Sequence, residues 1–271
     1  MTPPTPANLP HRLERSLLIQ ARRETVFRFF TDPARWASWW GPGSTIDARP
    51  GGRVVIKFPG NVEVNGEIIE IAPPQRLTFT YGYMAGTPIA PGASLVTITL
   101  AAAGVNGRDT RLHLTHAFSD AAVRDLHVQG WRYQFSLFAN VVSNEVQADA
   151  ASTIDAWLDA WSTADGASRA ATLARIVDPA VRFRDRFSTV DGLDDLDVHL
   201  DAAQRFMPGL RMRRVGEVRQ CQGIALADWI ARSADGQERA RGTNVFQLNA
   251  DGRIEAVTGL WSQHPHQSTK E

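Results

Sequence analysis

The chain has very little cysteine or lysine, no long apolar run and no excess of charge of one sign. Cys221 is its single cysteine, which rules out an intramolecular disulfide and any thiolate-rich metal site. Lysine occurs only at Lys57 and Lys270, so arginine carries almost all the positive charge. No apolar stretch approaches the roughly 18 residues of a membrane span, so no membrane insertion is expected. Met1 to Pro10 is Pro-rich and polar, without the basic-then-apolar order of a signal peptide. A cytoplasmic location fits these absences. Lys+Arg and Asp+Glu both number 29. Residues 1–147 carry 14 basic against 11 acidic side chains, and residues 148–271 carry 15 against 18. Neither half has the basic excess of a phosphate-backbone binder, so nucleic acid is not an expected partner. His264 and His266 fall in a polar tail and are read as tail rather than metal ligands; no metal and no cofactor are expected. What is present is a globular composition, 43% apolar over 271 residues, enough for two domains with separate cores.

In the first half, Leu13 to Gln20 reads as a strand and Arg23 to Phe30 as a short helix. Asp32-Pro33 starts a second helix, which ends at Gly41-Pro42. Period-two segments follow at 53–58, 62–71, 76–83, 94–100 and 110–118, separated by Pro- and Gly-rich turns. Such a succession with short connections implies an antiparallel sheet. A long helix is predicted from an N-cap at Ser119 to about Val146. It has two apolar stripes, Leu126/Gly130/Tyr133/Leu137/Val141 and Trp131/Phe135/Phe138/Val142. So wide an apolar face needs a concave partner.

The Thr31-Asp32-Pro33 turn, the Trp36…Trp39-Trp40 cluster, Val96-Thr97-Ile98-Thr99-Leu100, Leu114-Thr115-His116 and Gly130-Trp131 carry a resemblance. This half resembles the START-like SRPBCC superfamily, in the branch of the activator of the Hsp90 ATPase. The resemblance implies a helix-grip fold, an antiparallel sheet around a long C-terminal helix, with a cavity for a hydrophobic ligand between them. Candidate ligand-binding residues are Trp36, Trp40, Phe58, Tyr81, Tyr83, His116, Trp131 and Phe135. Tyr81, Tyr83 and Trp131 each offer a polar tip on an apolar body. His116 shares a strand face with Leu112, Leu114 and Phe118. It reads either as a satisfied core histidine or as an inward base.

In the second half, Ser152 and Asp155 have capping-box spacing. Ile154, Trp157, Leu158 and Trp161 form one helical apolar face. A second helix is predicted from Ser168 to Val177. In the strand Ala180–Ser188, Val181, Phe183, Asp185 and Phe187 fall on one face. An aspartate in an apolar row is costly, and burial raises its pKa unless it is paired; proton-transfer sites use such a group. A helix over 193–206 and strands over 210–220, 224–233, 239–248 and 254–262 complete the unit, with hairpin turns at Asp235-Gly236 and Asp251-Gly252.

Val181…Phe183-Arg184-Asp185, Gly192-Leu193-Asp194, Trp229, Gly242…Val245-Phe246, Asn249 to Ile254 and Gly259-Leu260-Trp261 resemble the SnoaL-like branch of the nuclear-transport-factor-2-like superfamily. That resemblance implies an α+β cone, and often a homodimer through the sheet. It places Asp185 where ketosteroid isomerases keep their proton-shuttling aspartate, with Trp157 and Asn244 at their oxyanion-hole positions. An indole and an amide are weaker donors than the usual pair, which argues against steroid isomerisation. The catalytic candidates are thus Asp185, Asn244 and Trp157, and the lining candidates Trp161, Phe183, Trp229 and Trp261. His199 is read as solvated on an acidic helix face.

The fold class expected is therefore α+β: a helix-grip domain over 11–147, a cone domain over 150–264, and disordered tails at 1–10 and 265–271. Three functions are consistent with it: binding of a hydrophobic or aromatic small molecule in one or both cavities, a polyketide cyclase, isomerase or dehydratase working through Asp185, and a co-chaperone-like interaction protein.

Overall fold

The structure is a computed structural model and describes residues 8–262; the tail residues beyond them, His264 and His266 included, lie outside the described residues. The chain divides into two compact units between Ser143 and Asn144.

The first unit is a seven-stranded antiparallel sheet in the order β1-β7-β6-β5-β4-β3-β2. Its strands are β1 (His11–Ile19), β2 (Thr45–Ile46), β3 (Arg53–Phe58), β4 (Val62–Ala72), β5 (Arg76–Tyr83), β6 (Ser94–Ala103) and β7 (Asp109–Phe118). Register aligns the inward rows: Phe79 sits opposite Val96, Leu77 opposite Ile98 and Leu100 opposite Leu112. The sheet's apolar face is covered by α1 (Arg23–Arg28), α2 (Pro33–Trp40), α3 (Ala121–Leu126) and α4 (Val128–Val146). Asp32 caps α2 by accepting the Arg35 backbone N–H at 3.0 Å, with Pro33 at the first position. Phe138 on α4 stacks on Phe30 at 4.9 Å and meets Trp39 edge-on at 4.8 Å.

Three expectations change here. The single helix from Ser119 is two helices, capped by Asp120, whose carboxylate accepts the N–H groups of Ala122 and Val123, and broken at His127. Only one of its two predicted stripes is buried. Trp131, Phe135, Phe138 and Val142 face inward, whereas Leu126 and Tyr133 are 69% and 65% exposed. The expected tail also ends sooner, because Leu9 is buried with Leu95 and Ala117.

The second unit opens with α5 (Ala150–Ser162), α6 (Gly166–Ile176), β8 (Val177–Arg184), β9 (Thr189–Asp191) and α7 (Leu193–Phe206). It continues with β10 (Arg211–Cys221), β11 (Ile224–Arg232), β12 (Glu238–Leu248) and β13 (Ile254–Trp261). The sheet order is β10-β11-β12-β13-β8-β9, antiparallel except where β13 lies parallel to β8. That parallel pair brings Trp261 and Gly259 beside the end of β8, and so beside Asp185. The Ser152 capping box does not form, since α5 starts two residues earlier with no side-chain cap. Asp155 instead binds the Arg214 guanidinium through both oxygens, at 2.8 and 2.9 Å. The strand predicted to Ser188 stops at Arg184; Phe187, 67% exposed, still lies on the predicted side, its ring edge-on to Trp261 at 5.1 Å. Helix α7 is anchored by Arg169, itself buried, which reaches Asp197 and Asp201 on it. Gly242 is required by close approach: a Cβ there would run into the Leu260 carbonyl oxygen and lie 2.8 Å from the Trp229 ring.

Candidate functional site

Each unit holds a cavity under its helices. The larger, about 690 Å³, is in the second unit. The inward faces of β8, β11 and β13 supply Phe183, Trp229 and Trp261, and α5 supplies Trp161. Across from them α7 contributes His199, Ala203 and Phe206, and Met207 follows at its end. The rings form a connected wall: Trp229 and Trp261 meet edge-on at 5.3 Å, and the His199 ring lies 5.6 Å from Trp161 and 5.7 Å from Phe183.

Asp185 and Asn244 are the polar centre of that cavity. Phe187 donates its backbone N–H to Asp185 Oδ1 at 2.8 Å, an Asx turn that ends β8. Trp261 Nε1 donates to Oδ2 at 3.1 Å. The carboxylate is thus held by two neutral donors. Asn244 is 5% exposed and accepts the Trp229 Nε1 proton on Oδ1 at 2.9 Å, which fixes the amide and leaves Nδ2 to donate. Gly259 brings the two groups together. The Cβ it lacks would stand 3.1 Å from Asp185 Cβ and 3.4 Å from Asn244 Oδ1.

Of the candidates in this half, Asp185, Asn244, Trp161, Phe183, Trp229 and Trp261 all line the cavity. Trp157 does not. It is fully buried between Trp161, Phe183 and Phe246, with an indole N–H that has no partner among the described residues. It serves the core, because the face that carries it packs beneath the cavity wall. His199, read from sequence as solvated, lines the cavity. The signal was available: Leu196, His199, Leu200 and Ala203 share one helical face, and the acidic neighbours obscured it.

The cavity of the first unit is about 330 Å³. Trp40, Phe58, Tyr81, Tyr83 and Trp131 line it, together with His127 and Gln134. Trp36, Phe135 and His116 do not. Trp36 is fully buried and donates its N–H to the Val55 carbonyl at 3.2 Å. Phe135 packs behind Trp131 at 5.7 Å. His116 is a satisfied core histidine. Trp131 Nε1 donates to its Nδ1 at 3.0 Å, and its Nε2 meets Ser94 Oγ at 2.9 Å. Ser94 gives its own proton to the Tyr81 carbonyl at 2.8 Å, so Nε2 must be the donor and the ring is neutral. His127 was missed altogether, since a continuous helix leaves no reason to single it out.

Burial pushes His116 well below its ordinary pKa, with His127 nearby adding to the effect. His127 is lowered too, again by burial, against a backbone hydrogen bond that raises it. The sign of the pH dependence follows. Unfolded chains take up these protons near pH 6.5, whereas the folded unit resists them, so stability is full above 6.5 and falls as pH drops below it. For His116 the slope approaches about 1.4 kcal/mol per pH unit. Denaturant titrations at pH 7.5, 6 and 5 should show the unfolding midpoint of the first unit falling, with a shallower fall in His116→Asn. A midpoint flat over that range would contradict the neutral assignment.

Among the described residues no helix is long and apolar enough to cross a membrane, and no group of three or more His, Cys, Asp or Glu side chains could hold a metal ion. Residues 20–143 match the family described as activator of Hsp90 ATPase homolog 1-like protein. Comparison with curated proteins gives no match. Solved structures similar to parts of the chain include a proposed isomerase of the SnoaL-like family from Agrobacterium tumefaciens, 26% identical over 44% of this chain and 99% of that one, with a TM-score of 0.40. An Hsp90 activator from Plasmodium falciparum is 25% identical over 41% of this chain and 75% of its own, with a TM-score of 0.34. CalU16 from Micromonospora echinospora is 25% identical over 49% and 82%, with a TM-score of 0.38.

Proposed function

We propose that this protein binds a hydrophobic small molecule, with the cavity of the second unit as its principal site. One observation carries the reading: a space of about 690 Å³ walled by Trp161, Phe183, Trp229 and Trp261, with Asp185, Ser188, His199, Arg239 and Asn244 as its few polar side chains. Binding sites for apolar ligands have this make-up, a large nonpolar wall and a small number of fixed polar contacts that orient the ligand. The exposed side chains of Phe206 and Met207 at the end of α7 extend the apolar surface outward from the cavity. Native mass spectrometry of the purified protein should detect a noncovalent apolar adduct. The dye 8-anilinonaphthalene-1-sulfonate should bind, and Ala203→Trp, which fills the α7 side, should weaken it tenfold or more. Unchanged dye affinity in a folded Ala203→Trp would remove the cavity from consideration.

A second reading is supported by the Asp185–Asn244 pair across Gly259. A carboxylate beside an amide donor is the minimal equipment for moving a proton next to a carbonyl. Asp185 takes the proton from carbon while Asn244 Nδ2 donates to the oxygen on which charge develops. His199 provides a second titratable group in the same space. The substrate class is an enolisable ketone on an apolar skeleton.

A further inference from the structure

The smaller cavity contains a hydrogen-bond chain that runs in one direction. Tyr81 donates its hydroxyl proton to Tyr83 at 3.5 Å, and Tyr83 Oη lies 3.4 Å from His127 Nε2. His127 Nδ1 is 2.7 Å from the Val123 carbonyl oxygen, which can only accept, so the ring proton is on Nδ1 and Nε2 is a bare acceptor. His127 is 7% exposed and sits where α3 breaks from α4, its ring held over Tyr81 and Phe118. The two links to Tyr83 are long, beyond the usual range for such bonds, whereas the anchor to Val123 is short. The chain is therefore tight at the protein end and slack at the end that faces the cavity.

We infer that Tyr83 and His127 form a recognition site for an uncharged hydroxyl, a phenol, enol or alcohol, carried by an apolar ligand in the cavity of the first unit. This rests on the ligand-binding reading and extends it to a second site. The ligand oxygen accepts the Tyr83 proton, and the ligand proton goes to His127 Nε2. The slack Tyr83–His127 contact is replaced by two ordinary ones, with no proton transferred, and Tyr81 still donates to Tyr83. A ketone or ether accepts from Tyr83 but leaves Nε2 facing it without a donor. A carboxylate finds no cation, because no Arg or Lys among the described residues lines this cavity. Gln134 points the same way: its Nε2 is committed to the Trp39 carbonyl at 2.9 Å, so the oxygen is the end left for a ligand, another acceptor. Losing a hydrogen bond to a buried acceptor weakens binding roughly ten- to a hundredfold.

The test uses the full chain with 15N-labelled histidine and two probes of one skeleton, 2-naphthol and 2-methoxynaphthalene. Two-bond proton–nitrogen spectra, assigned with His127→Leu, report on the imidazole directly. The expected result is that 2-naphthol moves the His127 Nε2 resonance and binds the first unit at least tenfold more tightly than the methyl ether. Tyr83→Phe, which removes only the hydroxyl, should shrink that ratio to within about threefold. If both probes perturb the first unit equally, the hydroxyl reading falls while ligand binding stands. An unmoved His127 Nε2 during binding at the second unit also overturns the proposal. Absence of binding to either unit overturns both.

Discussion

Asp185→Asn should leave an apolar ligand bound in the cavity of the second unit and abolish proton chemistry there. The substitution is nearly isosteric and changes what the group can do in two ways. It removes the only carboxylate that the described residues place in the cavity wall, so a carbon-bound proton has no carboxylate base to go to. It also leaves one of two N–H donors unmatched. The oxygen of the substituted amide can still accept from the Phe187 N–H, keeping the turn, but its NH₂ then faces the Trp261 N–H. The cost is one hydrogen bond to a carboxylate, about 1.5–3 kcal/mol, too little to unfold the unit. Loss of a general base lowers a rate by about 10²–10⁴. With 2-tetralone as an enolisable probe in D₂O, exchange of the α protons followed by NMR should be catalysed by the native protein and fall by that factor in Asp185→Asn. The affinity for 8-anilinonaphthalene-1-sulfonate should stay within about threefold. Exchange that survives the substitution would move the base elsewhere in the cavity, to His199 first. No exchange in the native protein, with dye binding intact, would leave the binding reading as the whole function of this unit.

Much of this site was legible because strands have period two. Val181 and Phe183 on β8 fixed the inward row, and the alternation then predicted Asp185 beside the cavity. Two residues later the same rule holds for the side and not for the strand: Phe187 lines the cavity at its exposed rim. The Asp185 carboxylate captures the Phe187 N–H and ends the strand, and the ring meets Trp261 edge-on at 5.1 Å. A side-chain-to-backbone bond ended the strand that the pattern alone would have continued. The helices were misread for a related reason. Apolar content predicted a wide stripe after Ser119, yet Leu126 and Tyr133 stand exposed, because the chain breaks at His127 and α4 presents a new face. At the break the His127 ring takes the Val123 carbonyl that a continuing helix would bond, and the His127 N–H turns to the Arg124 carbonyl, a side-chain choice that apolar patterning does not reveal. His127 and His199 were missed for opposite reasons, one hidden by a predicted continuity and the other by acidic neighbours. Long-range pairing, such as β13 beside β8, leaves no local trace at all. It is nonetheless what brings Trp261 and Gly259 to Asp185.

Trp36→Ala should destabilise the first unit by about 3–5 kcal/mol without any direct effect on a ligand. Sequence named Trp36 with Trp40 as ligand-binding candidates, but the two differ in what they touch. Trp36 is fully buried, with Trp39 at 5.3 Å, Trp40 at 5.6 Å and Phe79 at 6.0 Å around it. Its indole proton satisfies the Val55 carbonyl on β3, so it ties α2 to the sheet. Truncation removes that packing, opens a void and orphans a buried acceptor at once. A domain's whole stability is only about 5–15 kcal/mol, so the loss is a large share of it. The unfolding temperature of this unit should drop by more than about 10 °C. Tyr83→Phe, on the cavity wall, should shift it by a few degrees at most. The contrast separates a tryptophan that holds the unit together from a side chain that meets a ligand. A drop of only a few degrees in Trp36→Ala, accompanied by weaker 2-naphthol binding, would return Trp36 to the cavity wall and reassign α2 from brace to lining.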